Sequence, residues 1–246
     1  MIKVWLRNFL FFRKTFLVSL FWTVLEPLMY LAAIGFGLGQ FVEQIEGLTF
    51  IDFYYPGLLA STAMMISYFE ATYPNYTKLT HQKTYAIMLM TPLTEKNILL
   101  GEILWAASKG FLAVCGVVAV SLFFGLFKYQ ILFTLPVLFV LCTVFAAFGM
   151  VMISLAKNYD SFIFSTSGII IPMSLISGTY FSVQNLPIFL KGLAYLLPLT
   201  HAVNLTRDII YKSLSLQSAL SFLVLLLYMY VLTFIAYKLF KTKLVN

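Results

Sequence analysis

Between residues 131 and 156 the chain carries no charged side chain. About 20 consecutive apolar residues let an α-helix cross the hydrocarbon core of a bilayer. Residues 16–40, 161–181 and 216–239 form runs of the same kind, each with at most one charged side chain. Lipid offers no water to unpaired backbone groups, so only helices and closed barrels can span it. A barrel needs alternating segments of roughly ten residues. These runs are continuous, so they point to helices. Composition agrees, with 61% hydrophobic and 10% charged residues, against roughly 25% charged in soluble domains. The fold class expected is an all-α polytopic membrane protein, with 1–246 as a single transmembrane domain.

Six spans are expected, at 16–40, 56–73, 98–127, 131–156, 161–181 and 216–239. Residues 1–15 hold Lys3, Arg7, Arg13 and Lys14 and are too charged to span. They suit an interfacial helix with Trp5, Phe9 and Phe12 dipping into lipid, or else a cytoplasmic extension of the first span. The basic-then-apolar order also resembles a signal peptide. Bulky Trp22, Glu26 and Pro27 stand where small cleavage residues belong, so the segment is read as retained. Pro27 is expected to mark the bend from interface into membrane, leaving Glu26 shallow.

Residues 41–55 carry Glu43, Glu46 and Asp52 without Lys or Arg and read as an outer loop. Residues 75–97 form the longest inner loop, with a short apolar patch, Tyr85 to Met90, closed by Thr91 and Pro92. The apolar pieces of 182–215 are too short to cross and suit outer re-entrant helices before the last span. With the N-terminus inside, only Lys128, Lys191, Arg207 and Lys212 of the 16 Lys and Arg fall in outer segments, and Lys109 lies within a span. That bias places both termini in the cytoplasm. Basic residues at span ends also account for the net charge of +7 without nucleic acid.

Catalytic signatures are missing. There is no phosphate-binding P-loop, so the chain is not expected to hydrolyse ATP. Neither a nucleophile elbow nor a His-Glu-x-x-His motif occurs. Cys115, Cys142, His81 and His201 have no metal-ligand spacing, and no cofactor or metal is expected in this chain. Transport or an anchoring role remains. The apolar patch in the basic loop needs a cover, either a cytoplasmic partner or the membrane interface.

Several local patterns carry a resemblance. They are Glu26-Pro27-Leu28 with Gly35-Phe36-Gly37-Leu38-Gly39, Phe69-Glu70-Ala71-Thr72-Tyr73, residues 100–109, residues 158–164, Ser177-Gly178 with Leu186-Pro187, and residues 197–201. In their order and spacing the chain resembles the transmembrane subunit of type-2 ABC exporters, nearest the NodJ-type lipo-oligosaccharide exporters, across essentially its whole length. The resemblance implies a half-transporter of a bacterial inner membrane. Two copies would form the pathway, and a separate soluble ATPase would bind ATP and Mg²⁺. The cargo implied is a lipid-linked saccharide or a similar glycolipid. A drug or other lipid, or a non-transporting anchor role, are the alternatives.

The coupling segment 75–97 would seat a short helix on the ATPase. Its residues are Lys83, Thr84, Tyr85, Met88, Leu89, Thr91 and Pro92, with Tyr85, Met88 and Leu89 at helical spacing on one face. Met88→Asp is expected to uncouple hydrolysis from export. Glu26, Glu70, Glu102 and Lys109 are gate candidates or structural ion pairs. Glu102 and Lys109 share a helix face and could line the inner mouth or meet Glu70. Tyr180, Phe181, Phe189, Tyr195 and His201 could stack on departing sugar, or anchor the chain at the interface.

Overall fold

The computed structural model describes residues 1–42, 44–212 and 214–245, apart from the side chains of Leu20, Trp22 and Val245. Glu43, assigned above to the outer loop, lies outside the described residues. The fold is all-helical. Helix α1 (Ile2–Lys14) ends at Thr15, and α2 (Phe16–Tyr30) runs on through a π-helical stretch, Leu31–Gly37, and a 3-10 turn, Leu38–Gln40. The break between α1 and α2 thus falls at Thr15. Pro27 lies inside α2, which corrects the expectation that it marks the bend.

A two-residue hairpin follows, β1 (Gln44–Ile45) against β2 (Leu48–Thr49). Its turn residues Glu46 and Gly47 both sit at positive φ, 54° and 78°, as a twisted two-residue hairpin turn demands. Helix α3 (Phe50–Thr80) is started by Thr49, whose Oγ1 accepts the Asp52 N–H at 3.3 Å. Such a cap satisfies one of the orphan donors of the first turn. A short α4 (Thr84–Leu89) leads to α5 (Glu95–Ser121), capped by Thr94 in the same way. Then come α6 (Ile131–Leu155), α7 (Asp160–Ser165), a π-helical Thr166–Ile170 and α8 (Ile171–Ile176). Helices α9 (Ile188–Tyr195) and α10 (Pro198–Tyr211) meet at 83°, and α11 (Leu216–Val245) closes the chain.

Helix α3 overruns both ends of the expected 56–73 span. It passes through Pro56 and Pro74, residues expected to bound it. A proline leaves one helical carbonyl without its N–H, which is tolerable where neighbours re-satisfy the backbone. Pro74 frees the Glu70 carbonyl, yet the helix runs on without a break to Thr80. Residues 75–80 therefore belong to helix and not to the inner loop. Helix α5 stops at Ser121, short of 127, and α8 stops at Ile176 before Gly178 at φ +82°.

Four described helices are long and apolar enough to cross a membrane, within Phe16–Gln40, Glu95–Ser121, Ile131–Leu155 and Leu216–Leu244. The bent α9–α10 pair would make five. Length and apolarity alone therefore do not yield the expected six. The difference lies in α3 and in the short Asp160–Ile176 unit. Helix α3 is the centre of the molecule and is buried over most of its length. A helix walled in by protein need not be apolar all round, and α3 carries buried Ser61, Thr62, Ser67, Thr72 and Asn75.

Helices α3, α5 and α6 approach closely at glycines. A Cβ added at Gly149 would stand 2.6 Å from Ala71 Cβ. Small residues give membrane helices close packing that apolarity alone cannot. Gly149→Val should therefore lower stability by about 2 kcal/mol through overpacking. Thermal unfolding of the purified protein in detergent reads this directly, and an unchanged midpoint would show the contact to be pliable.

The contacts define two ends. At one, Met1 N donates to Asn97 Oδ1 at 3.3 Å, Tyr85 stacks edge-on against Phe240, and Lys243 Nζ donates to Ala156 O at 3.3 Å. Both described termini therefore share an end with α4. At the other, Lys128 and Tyr211 meet Asp52, and Ser182 and Lys212 meet Glu46.

Candidate functional site

Glu102 is the most constrained charge in the molecule. It sits on α5 at 0% exposure. Lys78 Nζ from α3 lies 2.8 Å from its Oε2, and Asn8 Nδ2 from α1 donates to the same oxygen at 2.7 Å. Arg7 Nη2 stands 3.5 Å from Oε1. Lys78 Nζ also donates to Asn75 Oδ1 at 2.8 Å and to Asn8 Oδ1 at 3.3 Å. A buried carboxylate is tolerable only when paired and hydrogen-bonded in this manner.

Helix α4 joins the same cluster. Its Tyr85 is 1% exposed, and burial together with the Glu102 charge pushes the phenol well above its usual range. Arg7 Nη1 approaches Met88 Sδ at 3.9 Å. Glu102 thus joins α1, α3 and α5, and α4 reaches this joint through Met88 against Arg7, while the buried Tyr85 hydroxyl has no hydrogen-bond partner among the described residues. Sequence analysis singled out Glu102 but not Arg7, Asn8, Asn75 or Lys78. Their only sequence signal is the placement of polar residues among aromatic ones.

The expected docking stripe is turned inward. Tyr85 and Met88 are buried, and Leu89 is half-buried against the core. Ile87 at 61% and Met90 at 85% are the large apolar side chains this stretch exposes, beside the small Ala86. Lys83, at φ 49°, starts α4 from an exposed left-handed position, Thr84 is half-buried, and Thr91 and Pro92 are exposed. The free apolar surface of the segment is therefore Ile87 and Met90, which corrects the predicted face.

Lys109 pairs with Glu70 at 2.6 Å, and Trp105 Nε1 donates to the other Glu70 oxygen at 2.7 Å. Of the two expected charges on α5, one meets Glu70 and the other does not. The Glu70–Lys109 pair and Lys78 line a cavity of about 420 Å³ with Arg7, Phe12 and Trp105. Trp5 and Phe12, expected in lipid, instead pack on Trp105 at ring distances of 6.0 and 5.6 Å. Phe9 is exposed. Helix α1 comes this close because Gly101 of α5 has no Cβ to strike Val4.

Glu26 is exposed on α2. The ion pairs of the described residues do not include it. It shares a small cleft with Tyr30, Ser61 and Tyr180, and Tyr180 lies against Tyr54 at 5.6 Å between ring centres. The remaining outer candidates do not converge with Tyr180. Phe181 is half-buried and Phe189 points outward. His201 Nε2 lies 2.9 Å from Tyr195 O, and its Nδ1 lies 3.4 Å from Ser221 Oγ. Among the described residues no group of His, Cys, Asp or Glu could hold a metal ion.

At the opposite end Glu46 ties the hairpin down. Ser182 Oγ donates to it at 2.5 Å, and Lys212 Nζ lies 3.2 Å away. Burial works against its charge, yet these partners hold its carboxyl below the usual range. Arg207 on α10 is buried across the Phe53 ring, and Nη2 donates to Phe53 O at 3.0 Å and to Gly178 O at 2.9 Å. Sequence analysis noted Arg207 only as an outer charge.

The geometry defines an all-helical membrane protein with a charged joint beneath a short terminal-end helix. The sequence matches the ABC-2 type transporter family over residues 2–211, and the chain belongs to that family. Nodulation protein J of Rhizobium leguminosarum bv. viciae is 37% identical over 207 residues, covering 84% of this chain and 80% of that protein. Nodulation protein J of Bradyrhizobium diazoefficiens is 36% identical over 245 residues, or 99% and 93% of the two chains. The inner membrane transport permease YadH of Escherichia coli is 21% identical over 203 residues, or 82% and 79%.

Proposed function

We propose that the chain is the permease half of an ATP-driven exporter that moves a lipid-linked saccharide or similar glycolipid across a bacterial inner membrane. Two copies form the pathway. A separate soluble ATPase binds ATP and Mg²⁺ beneath them. The chain crosses six times, with α3 and the Asp160–Ile176 unit as the two crossings that apolarity understates. Both termini face the cytoplasm, and α9–α10 dips into the outer leaflet and returns.

The Glu102 joint carries this reading. A short helix with exposed Ile87 and Met90 sets its buried Met88 against Arg7, which together with Lys78 holds Glu102 in the joint of α1, α3 and α5. A partner that pushes on α4 therefore moves the interfacial helix and two spans together. ATP shifts the balance between inward and outward states through its different contacts with each. Glu26 supports the second copy. An unpaired carboxylate facing lipid is costly, so its face is turned toward the partner across the pathway.

Co-purification from native membranes tests the proposal. A stable complex with a soluble ATPase, stimulated by lipid-linked saccharide, is the expected result. A complex stimulated only by drugs or simple lipids would reassign the cargo. Absence of any ATPase would leave an anchoring role and overturn the exporter.

A further inference from the structure

A polar cavity of about 130 Å³ opens at the end away from the termini, between the β1–β2 turn, the 182–184 turn, α10 and α11. Two anions, Glu46 and Asp208, and two cations, Arg207 and Lys212, face it, so their signs cancel. Most of these charges are already engaged. Lys212 holds Glu46 at 3.2 Å, and Ser218 Oγ donates to Asp208 Oδ2 at 2.8 Å. Arg207 is 4% exposed and commits Nη2 to the Phe53 and Gly178 carbonyls. The side-chain amides of Asn204 and Gln217 line the same space.

We propose that this cavity binds one neutral, hydroxyl-rich ring, a sugar unit of the exported cargo on its way out. Sugar hydroxyls both donate and accept, which suits amides, carboxylates and a guanidinium gathered in one place. An anion would meet Glu46 and Asp208, a cation would meet Arg207 and Lys212, and an apolar group would leave every amide unpaired. A water needs roughly 10–15 Å³ on this measure, so the cavity has the room of several waters, comparable to one sugar ring. His201 steadies the wall by bridging the Tyr195 carbonyl and Ser221. The proposal rests on the exporter reading and adds a cargo contact on its far side.

Saturation-transfer NMR on the purified chain in a non-glycosidic detergent tests it. The probes are cellotetraose and maltotetraose as neutral ligands, tetragalacturonate as an anion and spermidine as a cation. Saturation should reach the neutral tetraoses, with affinity on the order of millimolar. Gln217→Leu and Asn204→Leu should each weaken it about tenfold by removing one or two hydrogen bonds. Both positions keep some exposure on helices, so the fold survives the change. No transfer to either neutral tetraose, equal affinity in both variants, or preference for tetragalacturonate or spermidine would overturn the site. Glycolipid-stimulated ATPase turnover of the wild-type complex is read separately. Normal stimulation beside a failed cavity sinks the cavity alone, whereas absent stimulation in a stable ATPase complex sinks the glycolipid cargo and this site with it.

Discussion

Glu102→Ala should destabilise the protein by about 3 kcal/mol, because removing one partner of a buried pair strands the other. The stranded group is Lys78, whose side chain is only 14% exposed. Its remaining partners, Asn75 and Asn8, are neutral and cannot replace a carboxylate. Arg7 suffers less, since it is 37% exposed and can turn to water. Adding Lys78→Met should therefore recover much of the loss, as apolar replacement of a buried pair is often near neutral. Under the proposed function the joint also transmits motion, and the double variant should then regain its unfolding midpoint without regaining export. Thermal unfolding in detergent and export into inverted vesicles give the two readouts. A single variant within about 1 kcal/mol of wild type would show that the pair is solvated. Normal export by the double variant would remove Glu102 from the transmission path.

Ile87→Asp with Met90→Asp should cut association with the proposed ATPase partner about a hundredfold while leaving the fold within about 0.5 kcal/mol. Both side chains are exposed, at 61% and 85%, so their loss costs the isolated chain little. Apolar anchors on a docking helix carry much of the affinity at an interface, and about 2.7 kcal/mol corresponds to a hundredfold. Met88→Asp belongs to a different class. Met88 lies inside the chain at 9% exposure, and a carboxylate there costs roughly 2 kcal/mol or more in desolvation. Lost export in that variant would report a damaged fold and not a broken contact. Pull-down of the ATPase by each variant, beside its unfolding midpoint, separates the cases. Undiminished binding by the exposed pair of substitutions would place the docking surface elsewhere.

The helices were legible from local pattern to different degrees. Ile131–Leu155 was foreseen within a residue, because an uncharged run is a property of consecutive residues. The amphipathic α1 and the short apolar helices before α11 were visible because the spacing of apolar residues is also a local property. Helix α3 was clipped at both ends. Pro56 and Pro74 are stop signals in sequence, yet both lie inside one helix that is buried over most of its length. The residues of α4 were picked out correctly as a short helix, but its orientation was inverted. Apolar spacing shows that one face is apolar and cannot say whether that face meets a partner or its own core.

The sequence by itself determined the material of this protein: apolar helices long enough for lipid, cations gathered at the segments that share an end, and a short helix in a basic loop. Those are quantities summed over neighbours in the chain. Only the tertiary structure decided which charges meet. Glu102 takes Lys78, 24 residues away, and Asn8, 94 residues away, while Glu46 takes Ser182 at a separation of 136. Each pairing depends on how distant helices pack, and close passages such as Gly101 beside Val4 set that packing. In a medium of low dielectric a charge must find its partner wherever the fold brings one, and sequence separation does not record where that is.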